Sequence, residues 1–296
     1  MRALRAVKGW PVRQVAAAVV DPGGVVDTVG PVEERFALAS VTKPLSGLAC
    51  LVAVEEGALD LDVPVGAHPE PPLTQAELTQ AELARAGVTV RHLLAHASGL
   101  AAERPEMVAR PGTRRIYSNA GYAVLGRELE RATGMSFAEY ARQAVVEPLG
   151  LAATTLGDSP ASGAHASVAD LAVLARTLLA GGGRIVHPDT LRAATSVQFG
   201  GLSGVLPGFG RQRHNDWGLG FEIRDAKSPH WTGSGNSPAT YGHFGRSGTF
   251  LWVDPVARLA CVALTDREFE QWARQEWPAL ADAVLAEHGA SAQIRR

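Results

Sequence analysis

Both ends of this chain read as β-sheet, and the stretch between them reads as helix. That layout limits the fold more than any other feature. Residues 14–20 and 25–30 are apolar runs flanking Asp21-Pro22-Gly23-Gly24, a turn sequence that closes a hairpin. Residues 249–253 and 258–265 repeat the pattern around Asp254-Pro255, and 274–288 reads as an amphipathic C-terminal helix. The middle carries helix punctuation. One helix runs from Ser40 to about Glu56 and stops at Gly57, a second spans about 90–95, and a third runs from Asn119 to Thr133-Gly134. Ser136 with Glu139 forms a capping box for a helix that stops before Pro148. Ser167 with Asp170 opens another that ends at Gly181-Gly182-Gly183, and a short one follows Pro188. Segments 200–210 and 228–240 read as loops by composition. The expected architecture is α+β: one domain over 1–296, with an α/β part of about 1–56 and 215–296. An all-helical part of about 57–214 is inserted into it. A cleft is expected between the two parts.

Composition narrows the function. Hydrophobic residues are 46% of 296, enough for a sizeable core, which excludes disorder for the bulk of the chain. Basic and acidic residues nearly cancel, 28 against 30, with no basic stripe, so no nucleic-acid partner is expected. No run approaches the ~18–20 apolar residues of a membrane helix. Arg2, Arg5, Lys8 and Arg13 are not followed by a signal-peptide core, so a cytoplasmic location and no membrane partner are expected. Two cysteines, Cys50 and Cys261, are too few for a disulfide framework and sit in apolar segments, as buried thiols do. Only Lys8, Lys43 and Lys227 are lysines, which makes each one informative.

Ser40-Val41-Thr42-Lys43 opens the first long helix. Residues at i and i+3 share a helical face, so the lysine amine can reach the serine hydroxyl. A helix N-terminus also favours developing negative charge. A serine that attacks a carbonyl needs a base and an oxyanion site, and this spacing supplies the first and part of the second. A capping serine followed by a solvated lysine has the same spelling. The apolar runs at 36–39 and 45–54 argue against that reading, because they bury the lysine and lower its pKa toward that of a usable base. Tyr117-Ser118-Asn119 precedes another helix: a tyrosine near cations can ionise and relay protons, and an asparagine can hold a lysine on one side and a substrate amide on the other. By itself the tripeptide also describes a buried tyrosine beside an N-cap asparagine. Gly242-His243-Phe244-Gly245-Arg246 leads into strand 249–253, where glycine permits close approach of a ligand or backbone, though a plain hairpin would read the same.

Together, in this order, the three elements resemble the serine β-lactamase-like superfamily of penicillin-binding D-alanyl-D-alanine peptidases, class C β-lactamases and related family VIII esterases. The flanking segments FALASVTK (36–43), LDLDVPV (59–65), HLLAHASGL (92–100), YSNAGYAVLGRELERATGMSF (117–137), PLGLAATT (148–155) and GHFGRSGTFLWVDP (242–255) are similar as well. The resemblance implies a β-lactamase/transpeptidase-like fold, an antiparallel sheet flanked by helices with an inserted all-helical region. It implies Ser40 as the acylated nucleophile, Lys43 and Tyr117 sharing acid and base work, and Asn119 positioning substrate and lysine. His243 and Gly245 would belong to the substrate-binding triplet. The backbone N–H groups of Ser40 and Arg246 would form the oxyanion hole. No cofactor and no metal are implied.

Two departures refine the expectation. Lactamases usually begin the triplet with lysine, whereas His243 is mostly neutral at pH 7; weak β-lactam hydrolysis and an acid-sensitive grip on a substrate carboxylate follow, with Arg246 as a substitute charge. The short interval from Leu100 to Tyr117 predicts a cleft open on that side. Other constellations carry less. His92 and His96 are spaced four apart like a metal pair but lack a third ligand, and Asp60 with Asp62 reads as a solvated turn. Trp217, Trp231 and Tyr241 are candidates for the cleft or the core. The reading is a serine hydrolase cleaving a small-molecule ester or amide, with esterase preferred over D-amino-acid peptidase activity. The rival is a penicillin-binding-like module that binds a ligand or partner without turnover.

Overall fold

The computed structural model describes residues 3–66 and 81–289. At its centre is a six-stranded sheet in the order β2-β1-β10-β9-β8-β7. Its strands are β1 (Val15–Asp21), β2 (Gly24–Val29), β7 (Glu222–Ile223), β8 (Tyr241–Gly245), β9 (Thr249–Asp254) and β10 (Leu259–Thr265), all paired antiparallel. Two small pairs lie outside it: β3 (Arg35–Ala37) with β4 (His165–Ser167), and β5 (Gly204–Leu206) with β6 (Gly210–Gln212). The chain ends meet at the β1–β10 pairing, where Val15 faces Thr265 and Val20 faces Ala260.

The central strands are apolar along their interiors, Val15–Val20, Phe250–Val253 and Leu259–Leu264, because both faces are covered, and period-2 alternation deals their side chains to two cores. Ala16, Ala18 and Val20 of β1 join Val262 and Leu264 of β10 in the core shared with the helices Thr42–Glu55 and Val168–Leu179. Ala17, Val19, Cys261 and Ala263 face the opposite core, closed by the 3₁₀ turn Ala3–Gly9 and the helix Gln271–His288. Cys50 and Cys261 are free and buried, one in each core; burial pushes the Cys50 thiol up to about 12 and raises Cys261 as well. No helix among the described residues is long and apolar enough to cross a membrane.

Three expected boundaries shift. The first long helix begins at Thr42, and Ser40 sits in a preceding 3₁₀ turn, Ala39–Val41. The helix opening at Ser136 does not stop before Pro148: Phe137–Ala141 runs through a π-helical turn, Arg142–Val146, into Glu147–Leu149, and Gly150 ends it in the left-handed region. The wide turn displaces the hydrogen-bond ladder, so Pro148 falls in the first turn of the last piece, where its missing N–H is not needed. The glycine-rich 200–210 segment, expected as loop, contains β5 and the start of β6; Gly208 and Gly210 take the positive φ that the tight connection requires.

Candidate active site

Ser40 is presented by a strained turn. Ala39 holds φ 45°, a left-handed conformation that costs a non-glycine residue about 1–2 kcal/mol. Side-chain and backbone bonds lock it. The Thr42 hydroxyl donates to Ala39 O at 2.7 Å and accepts from Ala164 N at 3.0 Å, and Leu38 N donates to Ala164 O at 2.9 Å. On the other side Gly245 of β8 presses on the turn. A Cβ there would lie 2.3 Å from Leu38 O and 2.5 Å from Thr249 Oγ1, so only glycine lets the strand this close. The contact brings the Gly245–Arg246 peptide alongside the Ala39–Ser40 turn.

Lys43 lies one turn along from Ser40 and is fully buried. Its Nζ is 3.2 Å from Ser40 Oγ, 2.8 Å from Asn119 Oδ1 and 2.9 Å from Ala161 O. Burial lowers its pKa to about 7, against an upward pull from the Glu103 carboxylate. A neutral amine has two N–H bonds and one lone pair. Here the N–H groups point to Asn119 and Ala161, which leaves the lone pair for the Ser40 hydroxyl. Tyr117 Oη donates to Ser40 Oγ at 2.7 Å, and burial raises its pKa, so it stands as a protonated phenol rather than the ionised relay the sequence suggested. When Lys43 is neutral, the polar groups can form one directed chain: Tyr117 to Ser40, Ser40 to the Lys43 lone pair, Lys43 to Asn119 and Ala161; when it is charged, Lys43 donates to Ser40 instead.

The Tyr-Ser-Asn tripeptide divides these tasks by local structure. Ser118, not Asn119, is the N-cap of the helix Asn119–Thr133: its hydroxyl accepts from Gly121 N at 2.9 Å. Asn119 is thereby freed for Lys43, while Tyr117 turns back toward Ser40. His96 supports the turn, its Nδ1 accepting from Ser118 N at 3.1 Å and its ring 4.5 Å from that of Tyr117. His92 and His96 do not form a pair. Their helix ends at Leu94, His96 has φ 53°, and His92 instead bonds Thr89 and stacks on Phe199 at 4.5 Å.

His243 lies on β8 with its Nδ1 bonded to Phe244 O at 2.6 Å. Burial, followed by the nearby Lys43, lowers its pKa to about 3. It therefore stays neutral through mild acid, and the acid-sensitive carboxylate grip expected of it is not supported. The Arg246 side chain is exposed and lies 3.5 Å from Glu268.

Ser40, Tyr117, Asn119, His243 and Arg246 all line one cleft of about 430 Å³. Leu206, Pro207, Trp217, Phe244 and Phe269 give it an apolar wall. Trp231 and Tyr241, the other two aromatic candidates, are buried in the cores. The short 100–117 interval does not leave its side bare, because Ala102 and Glu103 reach the lining.

Sequence reasoning missed two acidic residues here. Glu103 accepts from Asn119 Nδ2 at 2.9 Å. Glu222, on β7, accepts from buried Lys227, from His230 Nε2 at 3.0 Å and from Trp231 Nε1 at 2.9 Å. Burial would raise its pKa, but His230 and Lys227 outweigh that and hold it below the carboxylate range. The scarcity of lysine was the signal available for this cluster, since a third of the lysines is Lys227. Among the described residues no group of three His, Cys, Asp or Glu side chains is placed to hold a metal ion.

Comparison with known proteins bears on the family and the fold. A family model described as beta-lactamase matches residues 8–286. The fold superposes on a crystal structure described as a beta-lactamase from Mycobacterium bovis with a TM-score of 0.88 and 53% identity, covering 97% of this chain and 99% of that one. Simvastatin synthase from Aspergillus terreus shares the fold at a TM-score of 0.75 and 18% identity, over 97% of this chain and 96% of that one. A protein of Escherichia coli O157:H7 named as a candidate D-alanyl-D-alanine carboxypeptidase is 25% identical over 220 residues, 56% of this chain and 48% of that protein. The chain thus spans about half the length of the curated relatives it matches.

Proposed function

The chain belongs to the beta-lactamase family of serine hydrolases, and from that premise we propose that it hydrolyses a small ester or amide through an acyl-enzyme on Ser40. The observation that carries this reading is the convergence on Ser40 Oγ of the Tyr117 phenol at 2.7 Å and the buried Lys43 amine at 3.2 Å, whose pKa burial lowers to about 7. Neutral Lys43 takes the Ser40 proton as Oγ attacks the carbonyl carbon. The backbone N–H groups of Ser40 and Arg246 receive the developing oxyanion. As the carbonyl–leaving-group bond breaks, the leaving atom takes the Tyr117 proton, and the Lys43 ammonium returns a proton to Tyr117. Water then repeats the sequence in reverse sense: its proton passes to the Tyr117–Lys43 pair, its oxygen attacks the acyl carbon, and Ser40 leaves with a proton.

An ester is the favoured substrate over a peptide ending in a carboxylate. Neutral His243 offers no fixed cation, and Arg246 is already opposite Glu268. The test is intact-protein mass and nitrophenol release after brief mixing with a p-nitrophenyl acyl ester and, separately, with a penicillin. An acyl adduct and a burst with the ester, a slower adduct with penicillin and neither with Ser40→Ala are expected. An adduct that survives Ser40→Ala would falsify the assignment, and no adduct on folded wild-type protein would favour the non-catalytic binder.

A further inference from the structure

Glu103 is an exposed residue that lines the cleft. Its position is built rather than incidental. Ala102 O accepts from Asn119 N at 2.7 Å and from Ala120 N at 3.1 Å, which fastens the loop to the first turn of the following helix. Leu100 and Met107 bridge across the loop's base. The Glu103 carboxylate then covers the one part of Asn119 that faces away from Lys43, its side-chain N–H group. The Asn119 amide has two N–H bonds, and Glu103 takes one of them. Beside the other, Glu103 sets an acceptor that carries a negative charge.

The other charges on the cleft lining are matched. Glu222 has Lys227 and His230, Arg246 has Glu268 within 3.5 Å, and His243 is neutral. Among the described residues Glu103 has no lysine or arginine within ion-pair distance, and it is exposed to the cleft. We propose that Glu103 is a specificity-determining residue that selects substrates carrying a cationic group on the acyl chain, such as an ammonium, and disfavours anionic ones. The inference rests on the hydrolase reading for its chemistry, and on the Asn119–Glu103 geometry for its direction.

The test uses two p-nitrophenyl esters of the same shape, of 4-(trimethylammonio)butyrate and of its neutral isostere 5,5-dimethylhexanoate. They share a leaving group, so the ratio of their kcat/KM values cancels effects on the chemistry. At pH 8 and low salt the wild type is expected to favour the cation by about three- to fivefold, the size of one partly exposed charge pair. That preference should shrink as salt rises. Glu103→Gln keeps an oxygen for Asn119 but removes the charge; its ratio should fall to about one, and that of Glu103→Lys below one. A wild-type ratio near one, or a Glu103→Gln ratio equal to the wild type's, overturns the proposal. If neither ester turns over, binding of the matching amides to Ser40→Ala is measured by calorimetry. Tighter binding of the cationic amide there would uphold the subsite while the hydrolase reading fails, and equal binding would overturn the subsite.

Discussion

Lys43 is an amine in a place that disfavours its charge. Its pKa is lowered mainly by burial, so the folded protein prefers the neutral form that a base requires. With Tyr117 held protonated and His243 neutral, the acidic limb of kcat/KM for a neutral ester should follow Lys43, rising toward a plateau as pH passes about 7. A limb unmoved by Glu103→Gln would contradict the assignment, because loss of that carboxylate should shift it to lower pH. The same burial has a stability cost. Below pH 7 folded and unfolded chains both hold the Lys43 proton, and the folded state bears the full desolvation penalty. Between about 7 and the unfolded value the folded state sheds the proton first and the penalty fades. Lys43→Met should therefore be inactive yet more stable by about 1–3 kcal/mol in mild acid, after allowing for the donors lost to Asn119 and Ala161. Denaturant midpoints at pH 6 and pH 10 check this, with the gain shrinking at the higher pH. At this scale Ser40, Lys43, Tyr117 and Asn119 were legible because each belongs to a short motif with chemical meaning. Glu103 and Glu222 were not, because each acts through a partner 5 to 16 positions away that only the folded loops bring near.

At the scale of elements, β7 is a strand of two residues whose position depends on one buried carboxylate. Glu222 gathers the 227–231 loop through Lys227, His230 and Trp231. Beside it Gly220 packs its Cα about 3.0 Å from where a Gly47 side chain would begin, so the loop and the Lys43 helix touch through two glycines. Glu222→Ala would remove the carboxylate bonded to the Lys227 ammonium, 0% exposed, and leave only the more distant Asp216 charge near it. A loss of about 3–5 kcal/mol is expected, read as a lower urea midpoint. A loss below 1 kcal/mol would show that water or a rearranged loop satisfies the lysine. Most of the element pattern was readable from punctuation: Asp-Pro turns closed both hairpins, and Ser136 and Ser167 cap the helices they were expected to open, whereas the cap before Asn119 proved to be Ser118. The misses have a common cause. Proline at 148 and glycines at 200–210 read as breaks, yet a π turn accommodated the first and a tight β5–β6 turn required the second.

For the whole molecule, the sheet is the wall between the two cores, and its central strands β1, β10 and β9 contribute to both. Loss of one core exposes the back of the other, so unfolding should be one cooperative event. The tryptophans allow a direct check. Trp10, Trp231, Trp252, Trp272 and Trp277 lie in the core on the C-terminal-helix side, while Trp217 lines the cleft. Urea transitions followed by tryptophan fluorescence, far-UV circular dichroism and esterase activity should coincide. An earlier loss of activity, with fluorescence intact, would mean that the helical side opens alone. The sealed cores also decide how the molecule can be instrumented. Both native thiols are 0% exposed and have raised pKa values, so a maleimide should pass them by while the protein is folded. Ala102→Cys, at the exposed rim of the cleft, then becomes the single site for a fluorophore, and the dye's emission would report in real time whether the cleft is empty or filled.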